Sequence, residues 1–265
     1  MPVTVYDHPL SPYGQKVKIA LAEKQVEFTT LMPEAIGSGN SGGVFQQASP
    51  RGEVPALVTD DGTQIFDSTI IVEYIEDRWP QPPLLPDTPQ AKARVRMLED
   101  VMDTHFEAIT WGLSELKNFG RGEGPLGEEI FDRGLAQIQQ WYQWLEAQLG
   151  DADWFNGERF GWGDLCVVPF INGAAGFGAI PEDALADWLA RANARSSVTA
   201  CREAAQAVAF DSEAVSLEAV KTAMDQGLFK REYRDHRLEW MIKSGGLQIV
   251  VDGLEKNNLR FIEPF

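Results

Sequence analysis

Residues 11–21 read SPYGQKVKIAL, directly after the run VTVYDH at 3–8. The β-branched and aromatic run predicts a strand. In the following segment Val17, Leu21 and Lys24 fall at helical spacing, so the chain turns from strand to helix near Ser11. Ser11 then suits two roles. It is a good N-cap, with Pro12 at the favourable first helical position. It is also a hydroxyl at a helix N-terminus, where unpaired N–H groups and the helix dipole favour an anion. Moving outward, VEFTTLM at 26–32 predicts a second strand. The Gly- and Ser-rich stretch at 33–52 reads as mostly loop. VPALVTDDGTQIFDS at 54–68 places two short apolar runs around Asp61-Gly62, a hairpin signal. STIIVEYIEDRW at 68–79 predicts a helix with Ile70, Ile71, Tyr74 and Ile75 on one face. This β-α-β, loop, β-β-α order predicts a small α/β domain over residues 1–80.

PQPPLLPDTPQ at 80–90 contains five prolines and predicts an extended linker over 81–88. Beyond it the periodicity is helical near 89–118, 128–149, 163–176 and 182–209, an all-α domain spanning 89–213. Residues 214–265 form an extension of different character. One or two helices run to Gly245-Gly246, and LQIVVDGLEKNNLRFI reads either as two strands or as a helix and a strand.

The 265 residues carry 23 Lys+Arg against 40 Asp+Glu, a formal net charge of −17. The extension holds 8 of each sign, leaving 15 against 32 in the first 213 residues, so the whole excess lies in the body. Such an acidic surface repels phosphate backbones and argues against nucleic-acid binding. No run approaches the ~18 apolar residues of a membrane span, and the N-terminus lacks a secretory pattern, so the expected location is cytoplasmic. Cys166 and Cys201 fit neither a disulfide framework nor a metal site. His8, His105 and His236 lack metal-ligand spacing, so no metal is expected.

Five motifs in order resemble the cytosolic glutathione S-transferase superfamily, in its bacterial serine-type, tau- or omega-like branch. These are SPYGQKVKIAL, RGEVPAL at 51–57, FDSTIIVEYIEDRWP at 66–80, FNGERFGWGDLCVVPF at 155–170 and WLARANAR at 188–195. The resemblance implies an α/β N-terminal thioredoxin-like domain plus an all-α C-terminal helical domain, with glutathione as co-substrate and a homodimer as the assembly. FGWGDL is also similar to a branch that breaks down lignin-derived compounds. The family pattern has Ser or Thr where Gly161 stands, three residues before Asp164. Only an Asp-to-backbone bond is then left to cap that helix.

What the resemblance implies for the site has a physical basis. The glutathione thiol must become thiolate to attack an electrophile near neutral pH, and Ser11 would donate a hydrogen bond to it. Tyr6 is a rival hydroxyl, set within the first strand. Val54-Pro55, with the proline cis, would present backbone to the cysteinyl part, as one more strand rung would. Asp67 and Ser68 would hold the γ-glutamyl amine and carboxylate, and each also suits a helix cap. Arg51 would meet the glycyl carboxylate, and Tyr13 completes the glutathione-binding set. Phe106, Ile109, Thr110 and Leu113 share one helix face and line either a hydrophobic acceptor pocket or the core. The absence of cysteine in SPYGQK disfavours mixed-disulfide chemistry. Two functions follow. One is a serine-type glutathione transferase acting on a hydrophobic electrophile. The other is a non-catalytic interaction protein of the same fold, binding a protein partner through its helical domain or extension.

Overall fold

The computed structural model describes residues 2–33, 43–212 and 217–261. In the N-terminal part, β1 (Val3–Tyr6) leads into α1 (Pro12–Glu23) and β2 (Phe28–Leu31). After these come α2 (Gly43–Ala48), β3 (Ala56–Val58), β4 (Gln64–Phe66) and α3 (Ser68–Arg78). The sheet order is β2-β1-β3-β4, with β1 parallel to β2 and the other pairs antiparallel. The sheet and α1 bury Val5, Val17, Leu21 and Leu57 with Ile71, Val72 and Ile75 of α3. Ile70, expected on that apolar face, is 57% exposed. Ile70 stands 100° from Ile71 around the helix, and the buried face runs through Ile71, Val72 and Ile75 instead. The stretch read as loop holds the short helix α2, and its residues 34–42 lie outside the described residues.

The Pro-rich segment is anchored. Leu84 and Leu85 are buried, their N–H groups donate to Glu76 at 3.1 Å, and Gln81-Pro82 is cis. The helical part begins with α4 (Pro89–Val101), a π-helical turn (Met102–Phe106) and α5 (Glu107–Lys117). It continues through α6 (Pro125–Leu149), α7 (Trp162–Ala175), α8 (Asp183–Asn193) and α9 (Ser196–Ser212). The expected helix over 182–209 is two helices, broken at Ala194 and Arg195.

The α7 N-terminus answers the question posed by Gly161. Asp164 accepts from the N–H groups of Gly161 (3.0 Å) and Phe155 (2.8 Å) and from Trp188 Nε1 (2.8 Å). The missing hydroxyl is replaced by Asn156, whose Oδ1 accepts from Gly163 N at 3.0 Å. A Cβ at Gly161 would sit 2.1 Å from Asn156 Nδ2 and 2.3 Å from Leu84 O, so this site excludes the family's serine.

The extension folds as α10 (Leu217–Asp225), β5 (Arg231–Glu232), α11 (Asp235–Lys243), α12 (Leu247–Glu255) and β6 (Leu259–Arg260), with β5 and β6 pairing parallel. It docks onto α5 through α11. Trp240 donates to Gln137 at 2.7 Å, and its ring fills the space where a Cβ on Gly112 would stand, 1.9 Å away. Glu115 is fully buried and binds Arg121, Arg231 and the Tyr233 hydroxyl. No helix among the described residues is long and apolar enough to cross a membrane.

Candidate active site

A cavity of about 850 Å³ opens between the sheet domain, the α4–α5 helix and the extension. Ser11 lies on its wall, fixed by local chain chemistry. Its Oγ accepts from Gly14 N at 3.2 Å, and its N–H donates to His8 O at 2.8 Å. The oxygen is therefore the N-cap of α1, satisfying an otherwise orphan N–H. A hydroxyl that accepts on one lone pair still has its own hydrogen to donate. Capping and thiolate donation are compatible at this oxygen. Tyr6 packs against Phe45 of α2, with ring centroids 5.6 Å apart, and is absent from the cavity wall.

Val54, Pro55, Asp67 and Ser68 converge on the same cavity, and the Val54-Pro55 bond is cis. Asp67 holds φ at 75°, a conformation side chains adopt at a cost of about 1–3 kcal/mol and which clusters at functional sites. Its Oδ1 caps α3, accepting from Thr69 N at 3.1 Å and Ile70 N at 3.4 Å. Tyr13 also lines the cavity, but its hydroxyl is committed to Asp103 O at 2.6 Å. Arg51 is not on the wall. It stacks over Phe66 and approaches Asp67 at 3.8 Å and Glu53 at 3.9 Å from outside.

The helical wall of the cavity differs from the expected apolar stripe. Phe106, Ile109 and Leu113 are buried in the interhelical core, and Thr110 donates to Glu107 O at 3.1 Å; none of the four lines the cavity. That face of α5 meets α6 and α7. The adjacent face carries the wall: Asp103, Thr104, Glu107, Trp111 and Ser114, with Phe119 just beyond the helix. Periodicity located an apolar stripe but could not say which stripe the neighbouring helices cover. The π-helical turn, a feature frequent at functional sites, carries Asp103 and had no signal in the sequence.

Beneath the wall lies a charge cluster. Lys16 is fully buried and donates to Glu99 (2.7 Å) and Asp103 (2.6 Å). Glu99 also accepts from Thr69 Oγ1 (2.8 Å) and Trp162 Nε1 (2.7 Å). One ammonium serves two carboxylates. Burial raises Asp103 to about 6, with Glu99 adding to the rise and Lys16 opposing it. Glu107 goes the other way. Burial pushes it up, but Arg237 and His236 more than offset this and hold it at about 2.

The roof is the extension. Phe229, Glu232, Arg234, His236 and Arg237 all face the cavity. Arg237 donates to both oxygens of Glu107. Arg234 reaches across to Glu53 of the sheet domain at 3.6 Å. Among the described residues no group of acidic, His and Cys side chains is arranged to hold a metal ion.

Two family models match the chain: Glutathione S-transferase, N-terminal domain, over residues 5–83, and Glutathione S-transferase, C-terminal domain, over 122–196. The chain is 31% identical over 184 residues to a maleylacetoacetate isomerase of Pseudomonas aeruginosa, covering 66% of this chain and 82% of that protein. It is 33% identical over 176 residues to glutathione S-transferase U28 of Arabidopsis thaliana, covering 64% and 71%. A glutathione S-transferase of Methylobacterium radiotolerans, solved in complex with glutathione sulfonate, superposes with a TM-score of 0.61 at 25% identity, covering 76% of this chain and 94% of that one. The chain belongs to the glutathione S-transferase family.

Proposed function

We propose that this protein is a serine-type glutathione transferase in which Ser11 stabilises the glutathione thiolate for attack on an electrophile. The observation that carries the reading is the Ser11 hydroxyl on the cavity wall. Its oxygen is oriented by the Gly14 N–H, and its hydrogen donates to no group among the described residues. The α1 N-terminus adds its dipole at the same point. Glutathione, the co-substrate of the family, would lie with its cysteinyl backbone along Val54 and its γ-glutamyl end at Ser68 and Asp67. The thiol proton passes to solvent and the sulfur electron pair forms the bond to carbon. The leaving group then departs with its own pair, or the adduct takes up a proton. A thiolate that adds to an activated double bond and later leaves again would serve isomerisation from the same site, the activity in the Pseudomonas relative's name.

The acceptor pocket is half apolar, with Trp111, Phe119 and Phe229, and half ionic, so the electrophile should carry an aryl or similarly flat apolar part. An extension serving as a partner-binding arm has less support, because its ionic and aromatic face is spent on α5 and the cavity. The test is calorimetric titration with glutathione, followed by turnover of an electrophile panel. Millimolar or tighter binding with conjugate or isomer formation is expected. A chain that binds no glutathione at millimolar concentration sinks the proposal.

A further inference from the structure

Resting on the glutathione reading above, we infer that Arg234, supplied by the C-terminal extension, is a carboxylate-binding residue of the cavity. Six Lys and Arg residues reach the wall among the described residues. Arg96 pairs with Glu73, Arg231 with Glu115, Arg237 with Glu107, and Arg260 with Glu232. Lys230 is held at the exposed edge by the neutral Asn257 Oδ1 at 3.2 Å. Arg234 is left with one carboxylate, Glu53, at 3.6 Å, beyond hydrogen-bond reach.

Its backbone, by contrast, is fixed. The preceding Tyr233 is 1% exposed, its N–H donates to Arg260 O at 2.9 Å, and its ring meets Trp111 edge-on at 4.6 Å. On the other side Leu238 N donates to Arg234 O at 2.9 Å, which starts α11. A rigid stem thus holds a guanidinium fork at the cavity wall with no carboxylate of the described residues within hydrogen-bond reach, the geometry suited to a bidentate carboxylate. Glu53 is a weak competitor for that fork. Burial and a hydrogen bond shared with Glu232 push its carboxyl above the ordinary carboxylate range. Arg51, the cation expected for the glycyl carboxylate, stands outside the wall, and this leaves that role open. The ligand is a carboxylate from one of two sources: the glycyl end of glutathione, or an anionic aryl acceptor seated against Phe119 and Phe229.

The experiment uses the full chain as wild type, Arg234→Gln, Arg234→Lys and Glu53→Gln. Each is titrated calorimetrically with glutathione and with its glycyl monoethyl ester. Each is also assayed with neutral 1-chloro-2,4-dinitrobenzene and anionic 4-chloro-3,5-dinitrobenzoate. Losing a charge-assisted pair should cost Arg234→Gln about ten- to a hundredfold against the carboxylate-bearing ligand of one pair, with its uncharged counterpart unchanged. A loss confined to glutathione assigns the glycyl carboxylate, and a loss confined to the benzoate assigns the acceptor. Arg234→Lys should recover part of that loss. Glu53→Gln, by removing the competitor, should tighten the same ligand, whereas a purely structural Arg–Glu bridge would make both variants weaken binding together. If Arg234→Gln does not fold, the direction of the Glu53→Gln change decides alone. Equal losses for charged and uncharged ligands, no loss in either pair, or weakening by Glu53→Gln overturns the inference. A wild type that binds glutathione while the variants fail these contrasts leaves the glutathione reading standing. A wild type that binds none overturns both.

Discussion

Replacing Lys16 by methionine keeps the buried stem and deletes the one ammonium that neutralises Glu99 and Asp103 at 2.7 and 2.6 Å. Breaking a buried ion pair from one side costs about 3–5 kcal/mol, because the partner charge stays behind. At about 2–4 °C per kcal/mol for a chain of this size, the melting temperature should fall by roughly 6–20 °C near pH 8. The pH dependence is a sharper check. Asp103 in the folded protein is raised to about 6 from an ordinary 3.8, so the folded state holds the proton more tightly than the unfolded one. Its contribution is therefore fully present below the ordinary value and erodes as pH rises through about 6. Without Lys16, which opposes the rise, the carboxyl shifts higher still and the erosion deepens. The deficit of Lys16→Met relative to wild type should be small near pH 5 and largest near pH 8, read by thermal melts with circular dichroism. A deficit that grows in acid, or a drop under about 2 °C near pH 8, would refute the buried cluster as drawn.

Other outcomes follow from the same contacts. Asp164→Ala strips the acceptor from two backbone N–H groups and Trp188 Nε1, at about 1–3 kcal/mol for each buried donor left bare. Soluble expression and a cooperative melt should be lost, with Asp164→Asn milder. Gly112→Ala drives a methyl into the Trp240 ring, 1.9 Å from the new Cβ. It should cost about 1–3 kcal/mol and make the extension the first site of limited proteolysis, while the body stays resistant. Glu115→Gln leaves Arg121 and Arg231 without their buried carboxylate, and should release the extension by the same proteolytic readout at about 3–5 kcal/mol.

Much of the N-terminal fold was legible because local signals agreed. The run at 3–8, the Asp61-Gly62 turn and the Ser68 helix each met the pattern its geometry requires, and the sheet formed from them. Of the candidate residues in that domain, Ser11, Val54, Pro55, Asp67 and Ser68 line one cavity. The helical wall of that cavity was not legible, for a physical reason. A helix such as α5 has apolar residues on more than one face, and which face is core depends on where α6 and α7 land. Ionic neighbours such as Arg234 of the roof and Glu53 of the sheet domain lie 181 positions apart, and no periodicity links them. Gly161 was legible as a missing hydroxyl but not as a site Asn156 had filled, since that contact comes from the loop before α7.

In the proposed mechanism the capped Ser11 hydroxyl also donates to a bound thiolate. Ultraviolet titration of the glutathione complex in wild type and Ser11→Ala tests it directly, with far-ultraviolet circular dichroism confirming that α1 survives loss of a cap worth about 0.5–2 kcal/mol. Losing a hydrogen bond to a charged sulfur, about 1.5–3 kcal/mol, should raise the bound thiol pKa by about 1 to 2. The same thiol pKa in both proteins, with glutathione bound to each, would show that Ser11 is a cap and nothing more.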